Sequence, residues 1–545
     1  MEHHIDFDYG EEQMMASMYR IDKDETGTAL LHIGQVAYRV VVVGGMITIR
    51  PSTLRILDEF IRAGGKVIFV GEVPTYVNAK VSEEPAKLAS KAICVPFEEQ
   101  ALVSRVREFS YEYIDIVNMD GTVETEVFVQ CRKLDEGMAF TVLNLNTDEA
   151  KDVVIRLKNT GDYHCEFWEL ESGNCYNADA SMLQGVQYIF VRTNLPAAGT
   201  KAFVLHTTMD ETLPVLPAEK QMLWEAELSD DTAENVFSYK LNEPNVCVLD
   251  KARWRMDGGM WSQKQEILKA DRQVRDFVGI ERRSGAMLQP WYAKSMDNPI
   301  YGDLEWQFTF DIEEMPSENI WLAGERPEQI QYYVNGVRLH CTDMDRFWID
   351  TCFKMMEIPA DALKYGENTV TLKTPFRRTT NMEAVYLLGE FGVCLTNGNS
   401  VLTRLPERIG YRSLRNYQLP FYTGEICYYL EPEQYMKCLD GQEGDRVYLS
   451  ARAEHASLIK VKTGQGEKLS FWEPFEVDVT DAVKNGAIIE VTVVGNRRNT
   501  FGPLHLLPKR KIYYSPSAYV TVGENWSDEY ELLENALCSL KLSGY

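Results

Sequence analysis

The chain has 545 residues, 45% hydrophobic and 25% charged, an ordinary globular composition with material for three to four domains at roughly 150 residues each. Its 56 Lys and Arg stand against 82 Asp and Glu, a formal net charge of −26. A field of that sign repels phosphate backbones and anionic headgroups, so neither nucleic acid nor a membrane surface is expected as a main partner.

Residues 1 to about 108 alternate helical and strand patterns. Glu11 to Ile21 carries Met14, Met15, Met18 and Tyr19 at helical spacing. Arg39 to Val43 is a β-branched run ending in Gly44-Gly45, and Ser52 to Ala63 is an amphipathic helix with Ser52 as its expected N-cap. Lys66 to Val70, Glu83 to Lys91, Ala92 to Val95 and Phe97 to Phe109 repeat the cycle. Such units imply a parallel sheet covered by helices, an α/β domain over 1–120.

Over 121–212 the pattern becomes short strands: Thr125 to Lys133, Met138 to Asn146, Asp152 to Leu157, His164 to Leu170, Gly185 to Arg192 and Lys201 to His206. They suggest an immunoglobulin-like β-sandwich. Leu213-Pro214-Val215-Leu216-Pro217 reads as a stiff linker. The rest is mostly β, interrupted by a charged, helix-like Ser262 to Ile280.

This half contains an internal echo. Ile320-Trp321-Leu322, Tyr333-Val334-Asn335-Gly336, Phe347-Trp348 and Leu363 to Val370 return as Val447-Tyr448-Leu449, Ile459 to Lys462, Phe471-Trp472 and Val477 to Gly486. Two jelly-roll sandwiches, 218–396 with a helical insertion and 397–545 with a C-terminal tail, explain the repetition. The expected fold is therefore mainly β with an N-terminal α/β domain.

Eleven cysteines lie at irregular spacings with no C-x-x-C, as expected of reduced thiols. Cys165 and Cys175 flank the turn-like Glu171 to Asn174 and could face each other on a hairpin, but nothing in the chain signals secretion. Met1 to Asp8 lacks the apolar core of a signal peptide, and no run approaches the length of a membrane span. A cytoplasmic location is the simplest expectation.

No nucleophile elbow, zinc helix or phosphate loop occurs. Gly44-Gly45 reads as a tight turn rather than a dinucleotide site. Asp6, Asp8, Glu11 and Glu12 crowd the N-terminus, where a helix start already favours the two glutamates. Three loci could hold a sugar. Arg498, Asn499 and His505 cluster around Gly502-Pro503 and could present hydrogen-bond donors to hydroxyls; the alternative is a turn fastened to its neighbour. Arg378, Asn381 and Glu383 precede the apolar Ala384 to Leu388; the alternative is a loop-fixing salt bridge. Trp291, after a proline, could stack on a pyranose ring; the alternative is a core tryptophan. No cofactor is expected. A structural calcium would suit so acidic a chain, but no D-x-[DN]-x-[DN]-G loop assigns ligands.

Ile5 to Glu12, Tyr38 to Val42 and Arg62 to Phe69 resemble the α/β domain that follows the catalytic barrel in large bacterial glycoside hydrolases, the family-106 α-L-rhamnosidase group among them. Phe140 to Asn144 and Phe167 to Gly173 resemble the sandwich that comes next. Tyr333 to Gly336, Trp472 to Thr480 and Asn499 to His505 are similar to the galactose-binding-like jelly rolls of those enzymes, including the sugar-binding domain of family 2. The resemblance implies an oligosaccharide or glycoside as ligand. It also implies acid and base carboxylates on a (β/α)8 barrel of about 250 residues, for which the matched region has no room. No catalytic residue can therefore be carried over. The leading expectation is a non-catalytic, carbohydrate-binding portion that completes a barrel active site on another polypeptide, with homo- or hetero-oligomers expected. The alternatives are an active glycoside hydrolase with unassigned carboxylates, or a structural oligomerisation module.

Overall fold

The computed structural model describes residues 2–109, 114–135, 137–158, 164–178, 181–182, 188–216, 222–228, 237–283, 297–396, 398–442, 444–472, 475–507 and 518–545. As expected, the chain is mainly β with an α/β region at its start. It divides into two units, Met1–Ala218 and Glu219–Tyr545.

In the first unit, Val40–Gly44, Lys66–Val70 and Ile93–Val95 form a parallel sheet in that order. The helix Pro51–Arg62 crosses between the first two strands. It starts just before the expected Ser52, with Arg50 at the N-cap and Pro51 at a position where its missing N–H costs nothing. Leu54, Leu57 and Phe60 bury one face of the helix beside Val67 and Phe69. Gly65 follows because a Cβ there would lie 2.4 Å from the Phe60 ring. Ile68, Val70 and Val95 pack on the opposite side with Val106 of the helix Glu99–Phe109.

The helix expected over Glu11 to Ile21 ends at Met18, and Tyr19–Lys23 becomes a strand paired with Ala29–Ile33. The cause lies just beyond it. The Asp24 carboxylate accepts the backbone N–H groups of Thr26 and Thr28, both at 2.9 Å, and closes a turn that sends the chain back on itself.

Two antiparallel sheets follow. One holds Ile114–Asn118, Lys151–Lys158, Tyr188–Leu195 and Ser181–Met182; the other holds Val127–Leu134, Gly137–Asn144, Thr200–His206, His164–Trp168 and Cys175–Asn177. Their inner faces meet around Ile116, Phe140, Ile155, Val191 and Phe203. Cys165 and Cys175 are free thiols, and the register sets Cys175 opposite Trp168.

The second unit contains two sandwiches of the same strand order. The first pairs Asn245–Leu249, Val385–Gly389, Ile320–Glu325 and Asp350–Ile358 in one sheet. Its other sheet runs Lys251–Met256, Gly302–Ile312, Gly366–Phe376, Gln331–Val334, Val337–Arg338. The second repeats this as Trp224–Glu227, Ala536–Gly544, Val447–Glu454, Glu476–Asp478 facing Ser238–Leu241, Glu425–Leu430, Ile489–Val494, Leu458–Thr463, Gly466–Ser470. The echo in the sequence is this repeat. The strands Trp224–Glu227 and Ser238–Leu241, which the sequence groups with the first jelly roll, belong by their pairing to the second. The first sandwich is thus nested inside the second. Trp306, Phe308 and Phe310 fill the first core, and Tyr428, Leu449 and Leu540 the second.

Asn335-Gly336 shows the local logic. Both residues take positive φ, 48° and 84°, as the tight turn between two strands requires. The Asn335 amide also donates to the Ala362 carbonyl at 2.8 Å and to Asn368 Oδ1 at 2.7 Å.

Candidate functional site

The predicted polar residues gather where the two nested sandwiches meet. Arg498 and Asn499 open the short helix Arg498–Phe501, whose last residue enters an aromatic cluster of the first sandwich. Phe501 lies 5.6 Å from Trp348, 5.4 Å from Phe353 and 5.7 Å from Tyr386 between ring centroids. Such pairs contribute about 0.5–1.5 kcal/mol each beyond their buried area. The Tyr519 hydroxyl donates to the Phe501 carbonyl at 3.1 Å, while the residue stays 41% exposed.

Glu383 faces this cluster from the loop before Val385–Gly389. Arg283 donates to its Oε1 at 2.9 Å and to Asp271 at 3.1 Å. Asp271 is buried and also takes Arg275, which donates to the carbonyls of Arg378 and Thr380 at 3.2 and 2.8 Å. This network fixes the loop, as the salt-bridge alternative foresaw. It leaves the Glu383 side chain 32% exposed.

A second carboxylate stands near, one the sequence did not single out. Glu325 ends the strand Ile320–Glu325, and its carboxyl is pushed up to about 6 by burial and then by the charge of Glu383. Burial raises the Tyr386 and Tyr519 hydroxyls, and Glu383 adds to both. Arg498 opposes the shift at Tyr519. Glu383, Glu325, Tyr386, Tyr519 and Arg498 thus share one electrostatic neighbourhood. Asn381 Oδ1 is buried without a hydrogen-bond partner. The set offers acceptors, a protonatable donor and an aromatic surface, the groups that grip a polyol with an apolar face.

The other predicted residues hold the fold. Asn499 donates to the Leu533 carbonyl and accepts the Leu533 N–H, both at 2.8 Å. Arg378 pairs with Glu281 at 3.5 Å. His505 is buried, with Nδ1 3.0 Å from the carbonyls of Ser527 and Glu529 and Nε2 3.1 Å from Asp250 Oδ2. All three neighbours accept, so both ring nitrogens donate and the ring is an imidazolium. Burial alone would lower it, but the Asp250 carboxylate outweighs burial and holds it above its ordinary value. His505 fastens the second sandwich to the first rather than facing a ligand. Trp291 lies outside the described residues. A hollow of about 260 Å³ opens beside Tyr332, Leu339 and Met356, and none of the predicted residues lines it.

Among the described residues, no group of three His, Cys, Asp or Glu side chains is placed to hold a metal ion. No helix among them is long and apolar enough to cross a membrane.

No family model matches the sequence, and no curated protein matches it. Among solved structures, the chain is similar to a rhamnosidase from Novosphingobium sp. PP1Y at 16% identity, covering 68% of this chain and 32% of that one, with a TM-score of 0.30. It is also similar to an exo-carrageenase from Bacteroides ovatus at 11% identity, covering 32% and 23%, with a TM-score of 0.21. A β-D-mannosidase from Dictyoglomus thermophilum follows at 12% identity, covering 48% and 32%, with a TM-score of 0.18. The chain spans a third or less of the length of these structures.

Proposed function

We propose that this chain is a carbohydrate-recognition portion of a glycoside-hydrolase-like protein. The observation that carries the reading is the polar group around Tyr386 and the half-exposed Tyr519, in which the charge of Glu383 reaches the Glu325 carboxyl and both hydroxyls. Sugar hydroxyls pair with fixed carboxylates, and an apolar sugar face lies against an aromatic ring. Glu383 is held by Arg283, so its geometry is set before a ligand arrives, which lowers the cost of binding. Glu325 donates a proton below about pH 6 and accepts above it. The four-domain reading, with flavodoxin-like, immunoglobulin-like and galactose-binding-like parts, belongs to this proposal.

The test is calorimetric titration of the chain with neutral mono- and oligosaccharides, rhamnosides and galactosides first. Saturable heat that E383Q and Y519A abolish supports the reading. No heat with any sugar, together with a defined oligomer by light scattering, favours a structural assembly role instead.

One observation favours a second reading. Two neighbouring carboxylates, one raised toward neutrality and one held by an arginine, resemble the division of labour in a glycosidase. Turnover of aryl-glycosides by the chain alone, lost in both E325Q and E383Q, would replace recognition with hydrolysis.

A further inference from the structure

The outward face of the Gly302–Ile312 sheet carries chemistry that neither the resemblance nor the junction site uses. Side chains two apart on a strand share a face, and here the shared face is polar and regular. The register aligns two straight rows across four strands. One runs Arg253, Gln307, Thr371, Tyr333; the other runs Arg255, Glu305, Lys373, Gln331.

The rows are hydrogen-bonded into a fixed surface. Arg253 donates to Gln307 Oε1 from Nε at 3.0 Å, and Gln307 passes its amide N–H to Thr371 Oγ1 at 2.8 Å. Arg255 and Lys373 both reach Glu305, at 2.9 and 3.0 Å. Trp261 closes one end, with the Arg253 and Arg255 guanidiniums 5.0 and 4.5 Å from its ring centroid. Its segment is pinned where the Trp254 N–H donates to Ser262 Oγ at 2.9 Å. Tyr333 closes the other end, its hydroxyl donating to Gln331 at 2.8 Å. Three strand spacings of about 4.8 Å put the two ends roughly 14 Å apart.

The charge of the two rows opposes that of the chain. Within them Arg253, Arg255 and Lys373 stand against the single carboxylate Glu305, with Asp303, Asp311 and Glu367 on the same face beyond the rows, whereas the whole chain carries −26. Arg253 has no carboxylate partner among the described residues. Its guanidinium is spread on an indole and anchored by a neutral amide, so its charge is placed but not neutralised. A planar guanidinium of this kind suits the oxygens of a carboxylate or sulfate.

We infer that this face is a second glycan platform, separate from the junction site, and that it takes an acidic oligosaccharide bearing carboxylate or sulfate groups. The Gln307 amide and Glu305 address hydroxyls, the arginines address the acidic groups, and Trp261 and Tyr333 bound a run of a few sugar rings.

The test is calorimetric titration of the full chain at low salt with three oligosaccharides of equal length: an oligogalacturonate, a sulfated galactan oligomer and a neutral galactan oligomer. At least one acidic ligand is expected to bind, at least tenfold more tightly than the neutral one and more weakly as salt rises. R253Q and W261A are expected to weaken it tenfold or more, and R253K less than R253Q. Whichever acidic oligomer binds distinguishes carboxylate from sulfate. Melting curves check that the variants fold; if W261A melts early, R253Q on the outer face carries the test. No binding of either acidic oligomer, equal affinity for the neutral one, or binding untouched by R253Q overturns the inference. So does a single-stranded oligonucleotide that binds more tightly than the glycans and is lost in R253Q.

Discussion

Replacing His505 by alanine tests the joint between the nested sandwiches. His505 is 5% exposed and Asp250 is also buried, so their ion pair is shielded from solvent. Tyr530 donates to the other Asp250 oxygen at 2.7 Å, and the His505 ring stacks 4.9 Å from Trp526. H505A leaves a buried carboxylate with one partner fewer and two carbonyls without a donor. Breaking a buried pair in this way costs about 3–5 kcal/mol. The sign with pH follows from the raised imidazole. Its stabilisation is complete below its unfolded value of about 6.5 and is lost as pH rises through the folded one. Glu266 adds the same slope at lower pH. Burial first, and then Asp250, push its carboxyl up to about 7, so stability falls between about 4.5 and 7 as the unfolded chain ionises first. Urea unfolding followed by tryptophan fluorescence at pH 6 and pH 9 measures the His505 effect, and a further curve at about pH 4.5 measures that of Glu266. The wild type should lose stability toward pH 9, and H505A should lose much less over the same interval. A wild type flat between pH 6 and 9, or an H505A variant within about 1 kcal/mol of it at pH 6, would refute the imidazolium assignment.

Further expectations follow from single residues. Trp306 is fully buried and its indole N–H has no partner. W306A should therefore cost about 3–5 kcal/mol, whereas W306F, which removes the unsatisfied group along with some volume, should cost much less; thermal melts decide between them. N335A loses a residue suited to positive φ and the bonds to Ala362 and Asn368, and should destabilise by about 2 kcal/mol in urea titrations. Sugar affinity at the junction should change with pH around 6 in the wild type and become flat there in E325Q, read by calorimetry at pH 5 and pH 7.

Much of the fold was legible because the relevant signals are local. Valine runs ending in glycine marked the parallel strands, and Asn335-Gly336 marked a turn that the structure contains. The internal repeat was visible as spaced aromatics and turns. Its nesting was not, because it depends on Trp224–Glu227 pairing with Ala536–Gly544, more than three hundred residues away, and no local pattern encodes that partner. The helix over Glu11 to Ile21 was overextended because methionine spacing fits a helix, while the Asp24 side chain decided the turn.

The candidate site was legible in its polar loops and hidden in its pairing. Glu383 and Arg498 stood out as charged residues in turn-rich segments, yet nothing near Glu325 in the sequence suggests a partly buried carboxyl within reach of the Glu383 charge. Its signal, an acidic residue closing an apolar strand, is too common to select it. His505 looked like a ligand-facing residue because its partner Asp250 lies 255 positions away.

The most direct test of the central claim is one calorimetric comparison: the wild-type chain and E383Q, each titrated with the same panel of neutral sugars. Carbohydrate recognition at the junction predicts saturable binding of at least one sugar by the wild type and at least a tenfold loss in E383Q, with melting unchanged. Binding that E383Q leaves intact, or no binding by the wild type, would contradict it.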